Sequence, residues 1–295
     1  MPEKRPQIVY VTDRGLLRPT LLSLWSLLEH ISAVPDVHFW GDGLSEVEWN
    51  MVRRVAATHP QSRLFQRQID PADLAGCKTP ADYISAATMG RLFIPRHLHG
   101  YVLYIDGDTL VTGDVAPLFN LDLGGNCLGA VRDYVVALWA IEKDGPEDHR
   151  RRLASIATHM QPKEYFNAGV LLMNCDAIRS DNDLLQQTED VMAASALEWG
   201  DQDHLNFIFS DRVTLLNPAY NSSWARAGRQ RRFATELGGL AEETKSVPDV
   251  IRHFHGPRKP WKKPRYDLWS RRARAVMSYR RQMRRFHAEF PDLAP

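Results

Sequence analysis

The sequence predicts an α/β protein built on a mostly parallel sheet flanked by helices, and three observations carry that prediction. Short, almost continuously apolar runs recur along the chain, as in strands buried on both faces. Segments with helical spacing separate them, as right-handed crossovers require. The clearest run, Tyr101-Val102-Leu103-Tyr104-Ile105, stops abruptly at Asp106-Gly107-Asp108. Open α/β sheets bind ligands outside the carboxyl ends of such strands.

In chain order, Ile8-Val9-Tyr10-Val11-Thr12 reads as the first buried strand, closed by Asp13-Arg14-Gly15. Leucines and Trp25 at helical spacing predict a helix from Pro19 to His30. Val37 to Trp40 is a second strand, and Ser45 with Glu48 forms a capping box that opens the next helix. Leu64 to Ile69 is a third strand. Tyr83 to Leu98 reads as a helix carrying Arg91 among apolar neighbours, either snorkelling outward or aimed into the crevice. Cys127 to Val131 is a further strand, ending in Arg132-Asp133, and Glu142 to Arg152 reads as an exposed polar helix or loop.

Phe166-Asn167-Ala168-Gly169 leads into the apolar run Val170 to Met173, so Asn167 stands at a strand start. Asp176 to Glu198 reads as amphipathic helix. Asp201 is either the N-cap of a helix running to Ile208 or, with Asp203 and Gln202 between them, part of a sugar pocket. Val213 to Leu216 is the last strand of this series. Arg226 to Glu243, rich in Arg, Gly and Glu, reads as a mobile or exposed loop. Val250 to Phe254 is a strand delivering His253, and Gly256 then turns the chain towards Lys259 and Trp261.

The 295 residues suit one large α/β domain or two small ones, and 44% hydrophobic with 25% charged residues is ordinary for a soluble chain. A formal charge of +1 gives no reason to expect nucleic-acid binding. No signal-peptide core or spanning segment stands out, and Cys77, Cys127 and Cys175 form neither a disulfide framework nor a zinc knuckle. A reducing cytoplasm fits these features. From Lys262 to Arg285 the chain turns basic, with Tyr266, Leu268, Trp269, Val276, Met277 and Tyr279 interleaved. The expected organisation is a catalytic domain over 1–261 and a helical tail over 262–295. The tail reads as an interfacial helix that holds the protein at the inner face of the cytoplasmic membrane, in preference to a solvated or RNA-binding basic tail.

Asp106 and Asp108 cannot lie close together uncompensated, and a hard divalent cation is the simplest compensation. An imidazole such as His253 suits Mn2+ better than Mg2+, and Lys259 offers a point charge for a phosphate. The first strand lacks a Gly-rich phosphate loop, which argues against a nucleotidyltransferase and a dehydrogenase. A non-enzymatic membrane adaptor is the other competing class.

Four motifs in order, Tyr-Ile-Asp-Gly-Asp-Thr, Phe-Asn-Ala-Gly-Val-Leu-Leu-Met-Asn, Asp-Gln-Asp-His-Leu-Asn and His-Phe-His-Gly-Pro-Arg-Lys-Pro-Trp, resemble those of retaining glycosyltransferase family 8. That resemblance implies a GT-A fold, a UDP-sugar donor and Mn2+, with Mg2+ as an alternative. It implies Asp106, Asp108 and His253 as metal ligands. It implies donor contacts at Asp13, Arg91, Gly107, Asn167, Gly256 and Lys259. Asp201 resembles the sugar-binding aspartate, Gln202 the residue beneath the anomeric carbon, and Asp133 an acceptor contact. The implied reaction moves galactose or glucose to a saccharide, such as lipopolysaccharide or another cell-surface glycan, that can be lipid-linked. The family also contains glycogenin, which glucosylates protein, so that alternative stands beside it. Gly90 replaces an alanine usual in the family, and His255 is an additional histidine.

Overall fold

A computed structural model describes residues 5–79, 85–142, 144–262 and 271–293. The strands of the main sheet are β1 (Gln7–Asp13), β2 (Asp36–Asp42), β3 (Arg63–Gln68) and β4 (Tyr101–Ile105), then β6 (Leu128–Arg132), β7 (Phe166–Asn174) and β8 (Val213–Leu215). A smaller sheet holds β5 (Thr109–Val111), β9 (Ser222–Ser223) and β10 (Ile251–His253). The main sheet runs in the order β3-β2-β1-β4-β7-β6-β8. The pairs β1–β2, β2–β3, β1–β4 and β6–β8 are parallel, and β7 runs antiparallel to both its neighbours.

That one reversal positions the site. Parallel strands deliver Asp13, Asp106 and Asp133 at or just beyond their carboxyl ends. Antiparallel β7 brings its amino end, with Asn167, to the same edge. In the smaller sheet, β10 pairs His253 opposite Thr109, directly after Asp108.

Buried apolar side chains form clusters on both faces of the sheet. Ile8, Val37, Leu103, Ile105 and Leu172 are fully buried against the first helix, Leu17–His30. Hydroxyls tie that helix to the acidic turn: Ser23 Oγ lies 2.6 Å from Thr109 Oγ1, and Thr109 Oγ1 donates to the Asp106 carbonyl at 2.9 Å. The second helix, Glu46–Ala56, opens with the expected capping box of Ser45 and Glu48, a feature that contributes about 1 kcal/mol.

Several segments differ from their sequence-based expectation. Arg226 to Glu243 is not a loop: Ala227–Glu236 is a helix that buries Ala227, Phe233 and Ala234. Its apolar residues recur at helical spacing but are diluted by Arg and Glu, which hid the pattern. Asp176 to Glu198 divides into helices at Cys175–Ser180, Asn182–Thr188 and Val191–Ser195, because Asn174, Asp181 and Asp190 each cap a new start. The segment around Arg91 is a 3-10 helix, Ala86–Phe93, followed by one turn of α-helix; the expected start at Tyr83 lies outside the described residues.

The C-terminal helix, Arg271–Glu289, lays its apolar side onto the main core. Tyr279 is fully buried beside Phe254, and Phe286 packs edge-on against Trp25. Val276 and Tyr279 are therefore unavailable as lipid anchors, while Met277 remains 60% exposed. Tyr266, Leu268 and Trp269 lie outside the described residues. Arg274, Arg281, Arg284 and Arg285 leave a basic outer surface. Among the described residues, no helix is long and apolar enough to cross a membrane.

Candidate active site

The carboxyl edge of the sheet opens into a cleft of about 830 Å³. Asp13, Arg91, Asp106, Gly107, Asp108 and Asp133 line it. So do Asn167, Asp201, Gln202, His253, Gly256 and Lys259. Residues spread over most of the chain thus converge on one wall-to-wall space.

Asp106, Asp108 and His253 form its acidic centre, with one ligand atom from each lying within 4.8 Å of the others. The His253 Nε2 atom is 3.1 Å from Asp108 Oδ1 and 3.6 Å from Asp106 Oδ2. Gly169 makes this approach feasible: a Cβ there would lie 2.2 Å from His253 Cε1 and 2.6 Å from Asp106 Oδ2. The opposite ring nitrogen, Nδ1, sits 3.0 Å from Asn221 Oδ1. These oxygen and nitrogen donors, one face open to the cleft and the imidazole braced from behind, fit a divalent cation.

Lys259 Nζ bonds Asp108 Oδ2 and lies 3.3 Å from the Phe254 carbonyl. Burial alone would raise the Asp108 carboxyl, but Lys259 and then His253 outweigh it and hold it well below the usual carboxylate range. Gly256 adopts φ +86°, so the turn between His253 and Lys259 needs a residue without a side chain. At Gly107, packing alone already excludes a side chain, since a Cβ there would strike Thr20 Oγ1 at 2.0 Å. Gly90 is similarly forced, with Val11 Cγ1 2.9 Å from the position of an added Cβ.

Arg91 does not snorkel. It is 5% exposed and bonds Asp201, Asp106 Oδ1 at 3.1 Å and the Ala168 carbonyl at 2.8 Å. Burial disfavours its charge, yet Asp201, Tyr104 and Asp106 together raise its pKa. Burial pushes the Asp201 carboxyl up, with Arg91 opposing. Asp201 is not the helix cap: Gly200 holds that position, and Asp201 is the first residue of the helix Asp201–Ile208. Asp203 turns away from the cleft altogether, to Arg152, Tyr165 and the Trp199 amide.

An amide chain crosses the cleft floor. Asn221 Nδ2 donates to Asn167 Oδ1 at 2.9 Å, and Asn167 Nδ2 donates to Gln202 Oε1 and Asp133 Oδ2, each at 3.1 Å. Gln202 Oε1 also accepts from the Ala168 N–H at 3.1 Å. Asp133 Oδ1 caps the helix Tyr134–Ile141 through the Val135 and Val136 N–H groups. His255 lines the same cleft with Nε2 2.7 Å from Ser223 Oγ, and burial, then His253, push its pKa down to about 3. Sequence reasoning missed Asn221, which no spacing rule connects to His253 across 32 positions.

Residues 7–264 match the profile of Glycosyl transferase family 8. The chain belongs to glycosyltransferase family 8. It is 26% identical over 282 residues to glycosyltransferase GlyE of Streptococcus pneumoniae, covering 88% of this chain and 58% of GlyE. It is 26% identical over 166 residues to a lipopolysaccharide 1,3-galactosyltransferase of Salmonella typhimurium, covering 54% of this chain and 44% of that one. The chain thus spans about half the length of several relatives that it matches. The solved structure of galactosyltransferase LgtC with donor and acceptor sugar analogs superposes with a TM-score of 0.70 at 25% identity, covering 92% of this chain and 95% of that one. The fold is GT-A, as the motifs implied.

Proposed function

We propose that this family 8 enzyme is a retaining hexosyltransferase. It moves galactose or glucose from a UDP-sugar to a saccharide acceptor of the lipopolysaccharide or cell-surface glycan type. The gathering of Asp106, Asp108 and His253 at the cleft's centre, next to the Gln202 amide, carries this reading. These three residues would hold Mn2+, which supplies Lewis-acid neutralisation of charge developing on a departing diphosphate. Lys259 adds a fixed positive charge at the same place, and Gly256 keeps the backbone beside it clear of side chains. Arg91 holds Asp201 at the sugar side of the cleft.

On this reading Gln202 would lie beneath the anomeric carbon, where a retaining hydrolase keeps a carboxylate nucleophile. Its carbonyl oxygen already accepts two N–H donors, from Asn167 and Ala168, so its lone pairs are engaged. That favours attack by the acceptor on the same face as the leaving group. Asp133 spends both oxygens on the helix cap and Asn167, so it orients an acceptor hydroxyl and is a poor free base. The likeness to LgtC and to the Salmonella galactosyltransferase supports a glycan acceptor over a protein tyrosine.

The test is UDP release from a panel of UDP-hexoses with and without Mn2+. Asp106→Asn should lower turnover by roughly three orders of magnitude, the scale of several kcal/mol of lost charge stabilisation, with the fold intact. Full activity in that variant rejects the metal assignment.

A further inference from the structure

His253 has two ring nitrogens with separate tasks. Its Nε2 points at the two aspartates, 3.1 Å from Asp108 and 3.6 Å from Asp106. A nitrogen that ligates a cation must offer a lone pair, so the proton then resides on Nδ1. Nδ1 is 3.0 Å from Asn221 Oδ1, which accepts that proton's hydrogen bond. The amide of Asn221 is thereby oriented. Its nitrogen must face the other way, and it meets Asn167 Oδ1 at 2.9 Å. Asn167 is oriented in turn, because Oδ1 also accepts from the Gly169 N–H at 3.1 Å. Its nitrogen then faces Gln202 Oε1 and Asp133 Oδ2. Every donor in this chain points the same way, from the imidazole towards the sugar side of the cleft.

Asn221 is 3% exposed and sits in the 3-10 turn Pro218–Asn221, immediately before β9, which pairs with β10 beside His253. The turn is anchored independently: Gln230 Nε2 donates to the Asn221 carbonyl at 3.2 Å, and Asn217 Oδ1 accepts from the Ala219 N–H at 3.0 Å. The side chain is therefore held between two partners and has no role in fastening its own turn.

We propose that Asn221 is a positioning residue with two separable roles. Its carbonyl oxygen holds His253 in the tautomer and orientation that present Nε2 to a cation. Together with the Gly169 N–H, its amide N–H sets the direction of the Asn167 amide, which in turn donates to Gln202 and Asp133. This rests on the reading of Asp106, Asp108 and His253 as a cation site.

Two substitutions separate the roles. Asn221→Ala removes both contacts. Asn221→Asp keeps an acceptor for His253 Nδ1 but sets a carboxylate oxygen against Asn167 Oδ1, which forces Asn167 to turn or withdraw. Mn2+ affinity is read on the protein alone, from loss of the free-Mn2+ electron paramagnetic resonance signal, with Asp106→Asn as the non-binding control. Outer-shell partners of metal-bound histidines typically govern affinity by 10–100-fold, so N221A should weaken Mn2+ binding by about that factor. N221D should bind Mn2+ at least as tightly as wild type. Its kcat for sugar transfer should nevertheless fall about tenfold or more, with the donor KM changing far less.

Wild-type protein that binds no more Mn2+ than D106N overturns the cation site and this role with it. Wild-type binding together with unchanged binding in N221A overturns the role of Asn221 alone. Wild-type kcat in N221D also overturns it, since the N–H would then direct nothing. Thermal unfolding in EDTA reports whether each variant is folded; should N221A unfold, the isosteric N221D decides the matter by its split between metal affinity and kcat.

Discussion

Two buried arginine–carboxylate pairs meet one short helix, and they serve different ends. Asp201 and Asp203 stand two residues apart on Asp201–Ile208, about 200° around the helix axis. Asp201 therefore faces the cleft and pairs with Arg91, while Asp203 faces inward and pairs with Arg152. The cleft-side pair connects onward to the Asp106–Asp108–His253 cluster, because Arg91 also bonds Asp106 at 3.1 Å. The inward pair is packed from behind: Tyr165 and the Trp199 amide complete Asp203, and Arg152 lies 4.4 Å over the Trp199 ring. Identical chemistry thus faces the cleft in one pair and the interior in the other. Both pairs carry a desolvation cost of several kcal/mol per ion, which only close pairing and added hydrogen bonds offset.

The largest effect expected from breaking this distinction is on rate. Asp201→Asn keeps the volume but removes the charge that faces the cleft. Its kcat/KM for UDP-sugar turnover should drop by about 10²–10³-fold, with a melting temperature close to wild type. Arg91 retains Asp106 and the Ala168 carbonyl in that variant, so the fold survives. A large fall in melting temperature with unchanged kcat/KM would place Asp201 in the structural class beside Asp203.

Arg152→Ala should show the reverse. It strands Asp203, which is 0% exposed, without its counter-charge. Breaking a buried pair in this way costs about 3–5 kcal/mol, to be measured by urea unfolding. UDP release per folded molecule should stay near the wild-type value.

Tyr165 links the two regions, because its hydroxyl donates to Asp203 and lies 3.5 Å from Gln202 Nε2. Tyr165→Phe should cost about 1.5–3 kcal/mol of stability, the range for a hydrogen bond to a charged group. A kcat loss beyond a few-fold would show that the regions are coupled through this hydroxyl.

Asp114 offers a half-buried carboxylate for reference, and the smallest effect. Burial would raise its pKa, but the Ser32 hydroxyl and the Ala116 and Ser32 N–H groups hold it below the ordinary range. The unfolded chain therefore binds the proton more readily. Its contribution is present above about pH 4 and is lost as pH falls through the folded-state value. The stability gap between wild type and Asp114→Asn should narrow on acidification below about pH 4.

Much of the site was readable from local pattern. Asp106 and Asp108 announced themselves because an apolar strand ended on charge, and strand ends at a sheet edge follow from period and burial alone. His253 was readable because a strand and a glycine turn delivered it together with Lys259. The helix at Ala227–Glu236 was not readable, because arginines and glutamates diluted its apolar stripe. The C-terminal helix looked like a lipid anchor because its aromatic residues are bulky; only the body of the protein beneath it shows that Tyr279 and Phe286 are already taken.

By itself, the sequence determined the α/β alternation, the acidic strand edge and the residue types able to hold a cation and a diphosphate. Those properties depend on neighbours a few positions apart, where covalent geometry sets the spacing. Tertiary structure alone decided that β7 runs backwards and so brings Asn167 to Asp133, that Asp201 and Asp203 part company, and that Asn221 braces His253. Each of those outcomes is a contact between side chains distant along the chain, and no local periodicity records which of many chemically similar partners will be the one within reach.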